Sequence, residues 1–393
     1  MQIRIPWPVC CALLCWVSGC TDVASPAPAE PGSAKPAQLS TLLGATDDAG
    51  YARAVEPRKF TFPADHGPHP DFRNEWWYWT GNLRAADGRA FGYQFTIFRF
   101  ALVPSTASSP AGPARTSAWA TRDSWLAHLT LTDIAGQRFY AFERSGRGAL
   151  DLAGATAEPF RVHCDGWEAS RTRLDGIRIH ADTPHLALDL TLAPGKPLVL
   201  QGERGLSRKG AEPGNASYYY SQTRMPTGGT IRLSAGLHAG QPDELLHVTG
   251  TSWMDREWST SALAPGVVGW DWFALQLSDG RDLMFYRLRR ADGSATGFSG
   301  GALIAVDGTL TPLAPDQVSI TPQGTWTSRS GVVYPAGWRL HSTDFELVIT
   351  PALADQELDL TVRYWEGAVG VTGSMRGVGP TTGVGYVELA GYP

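Results

Sequence analysis

After residue 20 this chain of 393 residues has one cysteine left, Cys164; the other four are Cys10, Cys11, Cys15 and Cys20. No disulfide within the mature chain is therefore expected, and a metal site built on paired cysteines is excluded. Basic excess is also lacking. The formal charge is −5, and −6 once Arg4 leaves with a cleaved leader, which argues against nucleic acid as a partner. No stretch beyond the leader offers 18 consecutive apolar residues, so no helical span is expected there. Helical periodicity is missing too, and 44 Gly and 28 Pro punctuate the chain.

What is present begins with a leader. A single charge, Arg4, precedes an apolar run from Ile5 to Val17, too short to span a bilayer at roughly 20 residues. It reads as a secretory signal over 1–19. The run ends Val17-Ser18-Gly19-Cys20, similar to the lipobox of bacterial lipoproteins, which predicts lipidation at Cys20. Thr21 follows, and the lipoprotein sorting rule then points to the outer membrane. The expected location is the cell envelope of a Gram-negative-type bacterium, on the periplasmic face, held by the lipid anchor. An ordinary signal with a chance cysteine is the competing reading. Residues 20–45 are rich in Ala, Pro, Ser and Gly and read as a flexible tether.

The body reads as strands. Asp-Gly pairs recur at Asp87-Gly88, Asp165-Gly166, Asp175-Gly176, Asp279-Gly280, Asp292-Gly293 and Asp307-Gly308, the chemistry of tight hairpins. Period two prevails beside them: Phe91, Tyr93, Phe95 and Ile97; Leu186, Leu188, Leu190 and Leu192; Leu358, Leu360, Val362 and Tyr364. Trp77-Tyr78-Trp79 leads into the Asp87-Gly88-Arg89 turn, and Trp270-Asp271-Trp272 leads at nearly the same spacing into Asp279-Gly280-Arg281. The echo suggests one opening hairpin used twice, once per barrel, and barrels remove exposed strand edges. The expected class is all-β: two antiparallel barrels, 46–258 and 259–393, packed together.

The stretch richest in chemistry runs from Gly250 to Trp272. It interleaves Trp253, Trp258, Trp270 and Trp272 with Asp255, Glu257, Asp271 and Arg256. Dry cores avoid unpaired carboxylates and wet loops carry few indoles, whereas a concave site uses both. A junction stapled by indoles and an Arg–carboxylate pair is the bland alternative. Glu75 shares a strand face with Trp77 and Trp79, as a desolvated general acid or as the partner of an arginine such as Arg99. Tyr219 belongs to a run of three tyrosines that offers a pocket wall with polar handles, and Arg224 closes that run. His66, His69 and Asp71 could ligate a metal, but the intervening prolines preset no geometry. Gly297-Phe298-Ser299-Gly300-Gly301 matches the nucleophile-elbow pattern without the helix it requires.

Several segments together resemble the lipocalin-like hydroxyneurosporene synthase (carotenoid 1,2-hydratase) family. They are Asn74 to Leu83, Ala216 to Ser221, Ser252 to Ser261, Gly269 to Leu277 and Tyr364 to Val369. The resemblance is nearest to its secreted branch, sometimes described as predicted secreted hydrolases. It implies two lipocalin-like barrels with a site near their junction, and a greasy, unsaturated ligand. The carotenoid hydratases add water across a terminal isoprenoid double bond; fungal relatives bind polyene chains. This chain carries Arg256 where those hydratases have a histidine.

Two functional readings stay open. In one, Asp255, Glu257 or Glu75 protonates a double bond, while Trp258, Trp270 or Trp272 stabilises the cation. In the other the same residues hold a hydrophobic ligand without chemistry, and the carboxylates pair with Arg256 or Arg224. Trp77, Trp79, Tyr219 and Asp271 complete the expected ligand-binding set. Neither reading requires a metal or another cofactor. The expected partners are a small hydrophobic ligand and, through the lipid anchor, a membrane.

Overall fold

The Asp-Gly pairs close hairpins. Gly88 and Gly280 both take positive φ, +90° and +86°, which a side chain would strain. Asp87 and Asp279 cap the turns by accepting from the Arg89 and Arg281 backbone N–H at 3.0 and 2.9 Å. The hairpins so formed pair Asn74–Ala85 with Ala90–Ala101 and Val267–Leu277 with Asp282–Arg290. The computed structural model describes residues 36–38, 48–105, 117, 119–237, 242–261 and 263–393. Cys20, the leader and most of the tether lie outside the described residues. Among the described residues no helix is long and apolar enough to cross a membrane.

Each hairpin opens a large antiparallel sheet. The first runs, edge to edge, Arg138–Arg147, Asp123–Asp133, Ala90–Ala101, Asn74–Ala85, Glu244–Ser259, Ala216–Leu233, Leu186–Leu192, Ile177–Asp182, Trp167–Arg171, Phe160–Cys164 and Ala153–Ala157. Its two edge strands are consecutive in the chain and touch, so the sheet is nearly a barrel. Leu186, Leu188, Leu190 and Leu192 all point inward and are fully buried, as their alternation requires. The second runs Leu310–Leu313, Gly300–Ile304, Asp282–Arg290, Val267–Leu277, Gly379–Ala390, Val362–Met375, Phe345–Pro351, Trp338–His341 and Ser319–Pro322. The fold is thus nearly all-β and lipocalin-like.

Two details depart from the sequence reading. The alternation from Leu358 to Tyr364 is not one strand. The chain turns at Leu360 and Thr361, and Glu357–Asp359 folds back antiparallel on Arg363–Trp365. Within the stretch read as a tether, Ala37–Gln38 pair in parallel with Val362–Arg363, and the Ala37 N–H donates to the Thr361 carbonyl at 2.9 Å.

Apolar side chains gather in a cluster inside the first sheet, another inside the second, and a third between them. The third joins Tyr78, Tyr219 and Trp253 of the first sheet to Trp272, Met284, Tyr286 and Leu288 of the second.

Candidate functional site

The strand Glu244–Ser259 sorts its residues by parity. Met254, Arg256 and Trp258 point into the first barrel; Trp253, Asp255 and Glu257 point at the second sheet. The pairing with Asn74–Ala85 runs without a break through Glu257 to Ser259, so the bend that would bring both sets to one cavity is absent. The irregularity lies on the facing strand, between Gln222 and Met225.

On the inward face stands an ion-pair knot. Glu75, fully buried, bonds both Arg99 and Arg256. The His69 N–H reaches both Glu75 oxygens at 3.1 Å, and the His69 ring stacks on Trp258 at 3.7 Å. The Arg256 guanidinium lies over Trp77 at 3.8 Å. Burial alone would raise the Glu75 pKa, but the two arginines hold it well below the carboxylate range. Glu75 is therefore a locked anion and does not line the cavity between the sheets. Trp77 and Trp79 pack in the same interior. Arg224 stands apart, tying the sheets together through Asp282 at 2.6 Å, with Lys196 on the same carboxylate at 2.8 Å. Asp271 points into the second sheet and pairs with Arg287, Arg289 and the Tyr392 hydroxyl. The staple and the site thus both exist, on different residues.

On the other face a cavity of about 80 Å³ lies between the sheets. Of the residues expected at a site it brings together Asp255, Glu257, Tyr219, Trp270 and Trp272. Glu388, Lys209, Tyr78, Tyr286 and Tyr364 join them unforeseen, and Trp76 faces it too. Two register lines of the first sheet make one wall: Tyr219, Glu257, Trp76, Phe98, and beside it Ser221, Asp255, Tyr78, Thr96. A line of the second sheet makes the other: Tyr286, Trp272, Glu388, Glu366.

The acids differ in their surroundings. Asp255 accepts from Tyr219 Oη at 2.5 Å, Ser221 Oγ at 2.5 Å and Trp253 Nε1 at 2.7 Å. Burial pushes its pKa up to about 7 even though these donors pull it down. Glu388 has a single donor, Trp270 Nε1 at 2.8 Å, and burial raises it further, to about 8. Behind it Glu366 is fully buried, accepts from Tyr78 Oη at 2.8 Å, and leaves Oε2 without a partner among the described residues. Burial and then the Glu388 charge drive its pKa well above the usual range. Glu257 accepts from Ser217 and faces Lys209 Nζ at 3.5 Å. Lys209 also lies 4.0 Å over the Tyr286 ring; burial opposes its charge, yet Glu257 and Tyr286 together outweigh it and the pKa rises.

Asp255, Glu257 and Glu388 thus share the cavity with one buried cation, Lys209, among indoles and phenols. A desolvated acid with too few counter-ions holds its proton near neutrality, the state a general acid needs. Glu388 carried a local signal: it is the one charged residue in the otherwise apolar run 386–390. Lys209 carried none, since it reaches the cavity from an irregular segment. Two motifs weighed for other chemistry are engaged in structural contacts. Ser299 Oγ accepts the Leu288 N–H at 3.0 Å and a strand, not a helix, follows it; His66 Nδ1 bonds Tyr220 Oη at 2.7 Å.

The fold has counterparts among known structures. An AttH-type protein from Nitrosomonas europaea is 36% identical, covering 87% of this chain and 100% of its own, with TM-score 0.74. Kievitone hydratase from Nectria haematococca matches at 15% identity over 91% of this chain and 98% of its own, TM-score 0.61. CghA, in complex with Sch210972, matches at 15% over 90% and 97%, TM-score 0.50. The last two matches show the fold. No curated protein sequence matches the chain. The AttH-like family model matches residues 53–392, the span that builds the cavity and all of both sheets but the Ala37–Gln38 strand, and the chain belongs to the AttH-like family.

Proposed function

We propose that the cavity binds the unsaturated end of a hydrophobic, isoprenoid-like ligand and adds water across its double bond. The observation that carries this reading is the pairing of Asp255 with Glu388 on opposite walls, both protonatable near neutral pH, in an aromatic box. Environment assigns the roles. Glu388, with one donor, holds its proton more tightly and is the acid. Asp255, with three donors that favour its anion, takes the proton from the attacking water. The Glu388 proton goes to the alkene carbon, the π pair forms the C–H bond, and a carbocation remains. Trp270, Trp272 and Trp76 face that charge, a cation–π attraction of about 2 kcal/mol when desolvated. Water then forms the C–O bond and gives its proton to Asp255. That one structural neighbour is a hydratase supports the reading by fold. The volume suits the reacting end of a ligand, with any longer tail leaving by the mouth. We further propose, from Val17-Ser18-Gly19-Cys20, that the protein works lipid-anchored at the cell envelope.

The test is incubation with geranylgeraniol in ¹⁸O-water. A product heavier by one labelled water, lost in Glu388→Gln while tryptophan quenching by the probe persists, supports hydration. Quenching without label incorporation in the wild type points instead to a carrier.

A further inference from the structure

Each hydration cycle leaves a proton on the wrong wall: the acid ends ionised and the base ends protonated. Their sheets differ, so the cavity needs exchange with solvent before the next cycle. One register line leads outward. Ser221, Asp255, Tyr78, Thr96, His128 and Glu143 lie side by side across six strands, ending on the edge strand Arg138–Arg147. His128 is fully buried just behind the cavity wall. Its Nδ1 is 2.8 Å from the Tyr364 hydroxyl, which lines the cavity and also accepts from Gln94 Nε2 at 3.3 Å. Its Nε2 is 3.1 Å from Glu143 Oε2. Glu143 is partly exposed, and its other oxygen accepts from Thr361 Oγ1 at 2.6 Å.

We infer that Glu143, His128 and Tyr364 form a proton relay between solvent and the cavity, an inference that rests on the hydration reading for its purpose. These bonds also tie the two sheets together, but a staple alone requires no solvent-open carboxylate at one end. A buried imidazole is satisfied by any donor and acceptor, yet here one nitrogen meets the cavity wall and the other meets a carboxylate open to water. The remaining groups around His128 are apolar or neutral: the Phe98 ring at 5.7 Å edge-on, and Thr96 and Leu126 beside it. Glu366 and Glu388 lie beyond Tyr364.

The transfers balance. Inward, Glu143, held as the anion against burial by its His128 and Thr361 hydrogen bonds, takes a proton from water and passes it to Nε2, Nδ1–H gives its own to the Tyr364 oxygen, and the Tyr364 O–H proton passes into the cavity to the spent carboxylate. His128 ends in the other tautomer. Outward, the protonated base gives its proton to the Tyr364 oxygen as the Tyr364 O–H passes its own to Nδ1, Nε2–H returns a proton to the Glu143 carboxylate, and Glu143 releases it to water, restoring the first tautomer. Hydration consumes no net proton, so one transfer each way per cycle resets the ring. His128 and Glu143 touch no ligand and act through Tyr364.

The experiment is a pH jump on the full chain, following the buried carboxyl C=O band by time-resolved infrared, in wild type, His128→Gln and Glu143→Gln. Glu143→Gln sits at a sheet edge and keeps its place in the fold if the buried variant does not. The relay requires a slower band change, by roughly 10²-fold as for loss of one positioned proton donor, at an unchanged titration midpoint. An unchanged rate in Glu143→Gln overturns it. So does a midpoint that moves together with the rate, which marks a purely structural pair. A wild type with no carboxyl titrating near neutrality overturns relay and acid together, whereas failure of the ¹⁸O assay alone removes only the hydration.

Discussion

Asp255 and Arg256 are neighbours in the chain and stand on opposite faces of one strand, the carboxylate before the cavity and the guanidinium inside the first barrel. The arginine therefore does not neutralise the acid beside it. Its charge is spent on Glu75, and Asp255 is left to its hydroxyl and indole donors.

Stability should separate the two faces. Arg256→Met leaves Glu75 buried with one arginine fewer and is expected to cost about 3–5 kcal/mol, as for other broken buried pairs. Glu75→Gln in the same background should recover part of that loss, because the two changes share a partner. Asp255→Asn should fold as wild type. Urea unfolding of the four proteins checks this; a larger loss in Asp255→Asn than in Arg256→Met contradicts the division.

The pH dependence of stability follows from the raised acids. Asp255 and Glu388 move from usual values of 3.8 and 4.5 to about 7 and about 8. Each binds its proton more tightly folded than unfolded, so stability is full below about pH 4 and is lost as pH rises through 7 to 8. At about 1.4 kcal/mol per unit, each carboxyl contributes a slope worth on the order of 4 kcal/mol across that window. Glu75 has the opposite sign, since its lowered pKa gives stability above 4.5 that disappears only in strong acid. Asp255→Asn and Glu388→Gln should each flatten the fall between pH 4.5 and 8. Parallel curves for wild type and both variants would count against the raised values.

Much of the fold was legible because strands write their period into the sequence. The two Asp-Gly-Arg hairpins, the buried leucine row and the all-β class needed only local pattern. Which face meets which partner was not legible. Trp77 and Trp270 occupy matching places in the echoed hairpins, yet Trp77 points into its barrel and Trp270 out of its sheet. Parity separated Asp255 from Trp258 without telling which side held the cavity. Glu388 reaches Asp255 only through pairing across the second sheet and packing between sheets, contacts that no local spacing encodes. The break at Leu360 and Thr361 escaped because alternation continues through it.

Lipidation gives a fractionation result. Cys20→Ser should move the protein from the membrane pellet to the supernatant, and the wild type should carry lipid mass on its N-terminal peptide. Equal pelleting of both forms contradicts the anchor.

The last prediction concerns the charge that the cavity is built to meet. Hydration passes through a carbocation, and a site complementary to it should prefer a fixed cation of the same shape over the neutral ligand. N,N-dimethylgeranylamine carries that charge; geraniol does not. Below pH 6 the Asp255 and Glu388 carboxyls are protonated, and only the rings of Trp76, Trp270 and Trp272 discriminate. As pH rises through 7 to 8 both acids ionise, and the ammonium gains the counter-ions that Lys209 alone does not match. Its affinity, read by tryptophan quenching, should therefore climb by at least about tenfold over that interval, or ~1.4 kcal/mol. The affinity for geraniol should stay level or fall, because ionised walls hold water more strongly. In Asp255→Asn with Glu388→Gln the ammonium curve should flatten onto that of geraniol. Trp270→Ala should weaken both ligands at every pH, while Arg224→Gln, outside the cavity, should weaken neither. Equal and pH-independent binding of the two ligands by the wild type would mean that the carboxyls do not face the bound group, and the hydration chemistry would lose its acid.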